Sequence, residues 1–457
     1  MSAAPDYRRF LDGKAVRCDA VGFEADRLSD HLFPFQRDVV AFLLRVGRGA
    51  AFLDTGLGKT LIQLDWARAV AEHTGGDVLV LTPLAVAGQT AREAHKFGIE
   101  AHVARDQASV RRGINIANYE RLHLIDAEAF AGVVLDESSI LKSFTGKTRQ
   151  ALCDRFSRTP YRLACTATPA PNDHMELGNH AEFLGVMAMR EMLSRFFIND
   201  TSTASQEWRL KRHAEAAFWD WMASWARMAE KPSDLGHDDD GFDLPPLNIR
   251  RHAAIGNVRP ADGMLFGHEV SATALHDLKR QTIDARADVV GALVAADAGQ
   301  SWVIWCDTDY EADALVKRIP DAIDVRGSLS AEAKEERLTA FATTPAAKII
   351  TKPSLAGFGL NWQHCARMAF VGRGFSYEAW YQAVRRCWRF GQTRPVDVHI
   401  VVAEGEDQIG RVIDRKADDH AAMKRAMTLA MKRAMGRSSE RMVAYEANHK
   451  GRTPAWL

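Results

Sequence analysis

The stretch Asp54-Thr55-Gly56-Leu57-Gly58-Lys59-Thr60 lies between an apolar run, Ala50 to Leu53, and a helical pattern, Leu61 to Val70. That order suits the capture of a phosphate chain. Such an anion is held by backbone N–H groups turned inward and by the partial positive charge at a helix N-terminus. Gly56 and Gly58 permit the first, with Thr55 and Leu57 completing the loop. Lys59 would reach the β- and γ-phosphates of a nucleotide, and the Thr60 hydroxyl would ligate Mg2+. The full G-x-x-x-x-G-K-T spacing is not met, because no glycine stands five residues before Gly58. Further on, Val133-Val134-Leu135-Asp136-Glu137 is an apolar run that ends in two adjacent carboxylates. Alone, such a pair often caps the following helix. Behind a phosphate loop it gains a role: Asp136 holds Mg2+, and Glu137 accepts a proton from, or orients, the attacking water.

Elements that position these residues follow one grammar, short β-branched or apolar runs separated by helical segments, which implies parallel sheets. Ala50–Asp54, Val78–Thr82, Ile114–Asn118, Gly132–Asp136 and Tyr161–Thr166 form a first group. Trp302–Cys306, Lys348–Thr351, Met368–Val371 and Val398–Val402 form a second. The expected fold class is therefore α/β with two lobes. Between them, His174 to Leu244 reads as helical, and Phe218, Trp221, Met222 and Trp225 make one apolar stripe suited to packing. The polar run Ser233–Asp243, ending at Pro245-Pro246, reads as a hinge. Near the C-terminus, Met-Lys-Arg-Ala-Met occurs at Met423–Met427 and again at Met431–Met435, so a helix there would carry a Met edge with basic flanks. It reads first as a docked helix and second as a phosphate contact. The expected division is an N-terminal extension at 1–30, a nucleotide-binding lobe at 31–174, a helical insertion and hinge at 175–244, a second lobe at 245–412 and a basic helical tail at 413–457.

Composition narrows the classes. With 457 residues, 47% of them hydrophobic and 26% charged, the chain reads as an ordinary globular protein, neither disordered nor fibrous. No apolar run approaches the ~20 residues of a membrane span, and Met1 to Phe10 lacks the apolar core of an export signal. A cytosolic protein with no membrane partner is the expectation. Lys plus Arg is 59 and Asp plus Glu is 59, so any basic surface must be local. The six cysteines are scattered without a C-x-x-C pair, which indicates neither a zinc site nor a disulfide framework.

Taken in order, the motifs resemble helicase superfamily two, and specifically the Swi/Snf-type DNA-dependent ATPases, including short members carried by phages and prophages. Phe33-Pro34-Phe35-Gln36-Arg37 resembles the family's glutamine motif, and Asp54–Thr60 its phosphate loop. Thr82-Pro83-Leu84 and Asn118-Tyr119-Glu120-Arg121-Leu122 resemble two DNA-touching motifs; Leu135–Ser138 matches the D-E-x-x box and Thr166-Ala167-Thr168-Pro169 the coupling motif. In the second lobe, Gly357–Asn361 resembles G-x-G-L-N, and Gln382–Val396 resembles Q-A-x-x-R-x-x-R-x-G-Q-T-R-P-V. The resemblance spans Phe33 to Val402 and implies two RecA-like lobes with a helical insertion between them.

It also implies roles. Gln36 would read the adenine of ATP, with Mg2+ beside the phosphates. Arg386 and Arg389 would be the arginines that reach across the cleft to neutralise the charge spreading over the γ-phosphoryl oxygens. Thr166, Thr168 and Gln382 would couple hydrolysis to movement. Thr82, Pro83, Asn118, Ser354 and Asn361 would touch the phosphate backbone of duplex DNA, setting register without reading sequence. Arg385 and Arg394 have no such role, and surface ion pairs or DNA-backbone contacts are the readings for them. Trp362 and Trp388 read as core packing before stacking platforms. Two departures stand out: the box reads Asp136-Glu137-Ser138-Ser139 without the usual histidine, whose hydrogen bond Ser139 would replace, and Arg385 occupies a position where many members have aspartate. The implied activity is an ATP-driven motor on double-stranded DNA in a bacterial or phage-infected cell. A strand-separating helicase on DNA or RNA, single-stranded DNA or RNA as the track, and a weakly hydrolysing scaffold are the alternatives. A monomer is favoured, and its targeting is left to partner proteins, to DNA structure or to the phosphates alone.

Overall fold

Runs of Val, Ile, Leu and Ala that are buried on both faces become the strands of two parallel sheets, because helices cover each side and leave no solvent face to alternate with. The computed structural model describes residues 18–83, 86–142, 146–200, 207–254, 272–356, 361–372, 374, 376–403 and 407–440. In chain order the strands are β1 (Arg48–Leu53), β2 (Asp77–Thr82), β3 (Ala101–Val103), β4 (Ile114–Asn118), β5 (Phe130–Asp136), β6 (Tyr161–Cys165), β7 (Phe197–Asp200), β8 (Glu207–Leu210), β9 (Ala226–Ala229), β10 (Leu247–Ala254), β11 (Trp302–Trp305), β12 (Ile323–Val325), β13 (Lys348–Thr351), β14 (Arg367–Phe370) and β15 (Val396–Ala403). The first sheet runs β3-β4-β2-β5-β6-β1-β9 and the second β10-β15-β14-β11-β13-β12, every pairing parallel. The α/β architecture of two parallel-sheet lobes is thus present.

The segment between the lobes holds more than helices. Leu177–Leu184, Met189–Phe196 and Glu215–Trp225 are helical, but β7 and β8 form an antiparallel hairpin and β9 returns to pair with β1. Phe218, Trp219, Trp221 and Trp225 are all buried, which makes them packing residues. The polar run expected as a hinge is tied down in part: Lys231 pairs with Asp239 at 2.8 Å and His237 meets Asp38 at 2.8 Å.

Asp407–Glu440 is one long helix. Its Met423, Met427 and Met431 are buried in the core of the first lobe, although the chain enters it from the second. Fully burying a methionine contributes about 1.5–3 kcal/mol, so three suffice to dock the helix. Its basic flank is paired with the first lobe too, Lys424 to Glu230 at 2.8 Å and Arg433 to Asp220 at 2.8 Å. The docked-helix reading fits these residues; 441–457 lie outside the described residues. No helix among the described residues is long and apolar enough to cross a membrane. All six cysteines are free thiols, four of them buried.

Candidate active site

The loop after β1 turns on two glycines with positive φ, Gly56 at 100° and Gly58 at 75°, a backbone region closed to most side chains. Helix Lys59–Thr74 starts directly behind Gly58, so its N-terminus faces the loop. Lys59 Nζ donates to the carbonyls of Leu53 at 2.9 Å and Asp54 at 3.3 Å. Gln36 ties the preceding helix to this loop: its Nε2 donates to the Leu57 carbonyl at 2.9 Å while its Oε1 accepts from Phe33 N–H at 2.9 Å.

A cavity of roughly 410 Å3 opens here between the lobes. Thr55, Gly56, Gly58, Lys59 and Thr60 line one wall with Asp136 and Glu137; Arg386 and Arg389 come from the other lobe. Gln36 lines it as well, and buried Leu57 supports the loop from behind. One hydroxyl, Thr60, and one carboxylate, Asp136, are the donors that Mg2+ takes together with phosphate oxygens and water. Asp136 is oriented by Gln63, whose Nε2 donates to Oδ1 at 2.8 Å, and its carbonyl accepts from the Tyr119 hydroxyl at 2.7 Å. Tyr119, placed by its motif among DNA-touching residues, therefore points at the acidic box.

Glu137 has φ 54°. Burial lifts its carboxyl to about 7, opposed by Lys59 and Arg386 and reinforced by Asp136 and Glu378. The Thr166 hydroxyl lies 3.4 Å from Glu137 Oε2 and accepts the Thr168 N–H at 3.1 Å, so the coupling motif is bonded to the acid. Ser138 meets a histidine: its hydroxyl lies 3.2 Å from His180 Nε2. That histidine comes from helix Leu177–Leu184, a long-range supply that no local motif announced.

Arg386 is buried against Gln382, with Nη2 to Oε1 at 2.9 Å and Nε to the carbonyl at 3.2 Å. Burial and neighbouring Arg389 push its pKa down to about 10, while Glu137 supports the charge. Arg389 is lowered first by burial and then by Arg385. Arg385 is neither on the surface nor directed to DNA; it is buried and paired with Asp54 across the cleft at 3.1 Å. Arg394 does bond locally, to Gln300 at 3.0 Å. Trp362 is buried in the second lobe's core and Trp388 donates to the Pro245 carbonyl at 2.7 Å, both in packing roles.

The five residues expected at DNA differ in their exposure. Thr82 and Asn118 end β2 and β4 opposite each other, with Pro83 following. Thr82 is fully buried, with its hydroxyl donating to the Pro83 carbonyl at 3.3 Å. Ser354 is exposed. Asn361 lines the cavity between the lobes. Leu84 and 357–360 lie outside the described residues. Three aromatic residues escaped sequence reasoning: Phe242 stands 4.8 Å from Phe390 and 5.2 Å from Phe33, and all three line the cavity. Exposed Phe33 and Phe390, each beside a motif, were the available signal.

No family model matches the chain, and no curated protein matches it. Among solved structures, the Sulfolobus solfataricus SWI2/SNF2 ATPase core in complex with dsDNA is similar over 92% of this chain and 98% of that one, at 18% identity and a TM-score of 0.42. The Sulfolobus solfataricus SWI2/SNF2 ATPase core domain is similar over 88% and 93%, at 17% identity and a TM-score of 0.41.

Proposed function

We propose that the chain hydrolyses ATP in the cleft between its lobes and uses closure of that cleft to move along duplex DNA. One observation carries the hydrolytic half: Lys59, Thr60, Asp136 and Glu137 share a cavity with Arg386 and Arg389 of the opposite lobe. A phosphate cradle, a carboxylate poised near neutrality and two guanidinium groups form the set that phosphoryl transfer to water requires. Thr60 and Asp136 would hold Mg2+, which would supply charge neutralisation at the phosphate oxygens. Glu137 takes the proton of the attacking water, and the Thr166 hydroxyl carries its state to the loop behind β6. Arg386 and Arg389 meet the charge that develops on the γ-phosphoryl group, which makes hydrolysis conditional on closure. Duplex DNA as the track rests on the motif resemblance from Phe33 to Val402.

The test is the ATPase rate with duplex DNA, single-stranded DNA, branched DNA and duplex RNA. The largest stimulation is expected from duplex DNA, with displacement of a triplex strand and little unwinding of a fork. Strong fork unwinding would transfer the assignment to a strand-separating helicase, and stimulation by duplex RNA alone to an RNA motor. Lys59→Ala abolishes turnover, and Glu137→Gln binds ATP without hydrolysing it. Arg386→Ala or Arg389→Ala loses about 10³-fold in rate at nearly unchanged affinity. Wild-type rates in all four variants would remove the site.

A further inference from the structure

Asp54 in the phosphate loop and Arg385, which stands just before the arginine pair where many family members have aspartate, are far apart in sequence and meet in the fold. Arg385 Nη2 lies 3.1 Å from Asp54 Oδ2 and 2.5 Å from the Thr55 carbonyl oxygen. The Tyr381 hydroxyl donates to the other carboxylate oxygen, Asp54 Oδ1, which also accepts the Thr55 N–H at 2.6 Å. Both charged side chains are buried. Burial works against the Asp54 carboxylate, yet Arg385, Lys424 and Tyr381 hold its pKa down to about 2.

The second lobe presents these groups from one helix face. Glu378, Tyr381, Gln382 and Arg385 fall at i, i+3, i+4 and i+7 along helix Tyr377–Val384 and its C-cap. Glu378 receives Lys142 Nζ of the first lobe at 2.6 Å, Tyr381 and Arg385 hold Asp54, and Gln382 holds Arg386. A buried ion pair adds little net stability over the same groups in water, but burying one charge without its partner is strongly unfavourable. A closed cleft seated one step out of place would strand Asp54 or Arg385. The pair therefore selects a single seating, and Arg386 follows Arg385 directly in the chain.

We propose that Asp54 and Arg385, steadied by Tyr381, are positioning residues that lock the phosphate loop to the arginine-bearing helix and set the register in which the lobes close. The inference rests on the hydrolytic reading above for its consequence in rate, but not for the lock itself. The test uses the full chain with a dye pair on exposed positions of the two lobes, Gln150 and Glu335. Lobe separation is read without nucleotide, ATPase kinetics and melting temperature alongside. Arg385→Gln is expected to widen the nucleotide-free separation and to lower kcat by about 10²-fold with KM nearly unchanged. Arg385→Lys keeps the charge and recovers part of both. In the double variant Asp54→Asn/Arg385→Gln the loss should be no larger than that of Arg385→Gln alone, because no buried charge is then left without its partner. Wild-type separation and kcat in Arg385→Gln, or losses that multiply in the double variant, overturn the lock. If the wild type hydrolyses no ATP while Arg385→Gln still opens, the lock stands and the hydrolytic reading falls. If Lys59→Ala abolishes turnover and Arg385→Gln changes nothing, the reverse holds.

Discussion

Glu137 is held in the left-handed region at φ 54°, where a non-glycine residue costs on the order of 1–3 kcal/mol. Its carboxyl is buried, lifted to about 7, and bonded to Thr166. Strain and desolvation at one carboxylate suit the proposed general base better than a helix cap. A base works only when deprotonated, so kcat/KM should fall as pH drops through about 7 and recover above it. Glu378 contributes to that upward displacement, so Glu378→Gln should move the acid limb to lower pH, measured from initial rates against pH on the same substrate. A limb that stays in place would remove Glu137 as its source. The carboxylate, lysine and arginines of this site were legible because each sits in a contiguous motif that dictates its own local geometry. Gln63, Tyr119, His180 and Phe242 were not, because their relation to the site exists only after distant strands have paired.

Among elements, the helix Asp407–Glu440 shows where sequence periodicity stops informing. Methionines at every fourth residue announce a docked face, but not which lobe receives it. The answer lies at β9, the edge strand of the first sheet, whose backbone would otherwise stay open to pairing with another chain. The helix packs on β9 and on helix Glu215–Trp225, and Met228 N–H points at Met431 Sδ 3.3 Å away. The central strands were readable as continuous apolar runs. β9 was not, since four residues after a Trp-rich helix carry no period of their own. Met427→Ala should cost about 2–5 kcal/mol, the usual cost of truncating a buried methionine, whereas Arg425→Ala on the exposed side should stay within about 0.5 kcal/mol. Native-state hydrogen exchange of residues 215–229 reports both. Equal protection in the two variants would mean that the helix does not guard this edge.

For the whole molecule, charge decides how the track is held. Lys plus Arg equals Asp plus Glu, and the residues proposed at the DNA backbone, Thr82, Pro83, Asn118, Ser354 and Asn361, carry no charge. The C-terminal cations Lys424 and Arg433 are spent on Glu230 and Asp220. A protein that neutralises Z phosphates loses affinity with salt at a slope of about −0.9Z on logarithmic axes. Contacts made by amides and hydroxyls release few counterions, so the slope for half-maximal DNA stimulation should correspond to about three phosphates or fewer. Hydrolysis at saturating DNA should change much less over the same salt range, because Arg386, proposed to serve it, is buried and poorly screened. A slope equivalent to about six to ten phosphates would instead require a basic stripe along the cleft. That result would move the DNA contacts away from the neutral strand ends and onto lysines and arginines not assigned to them here.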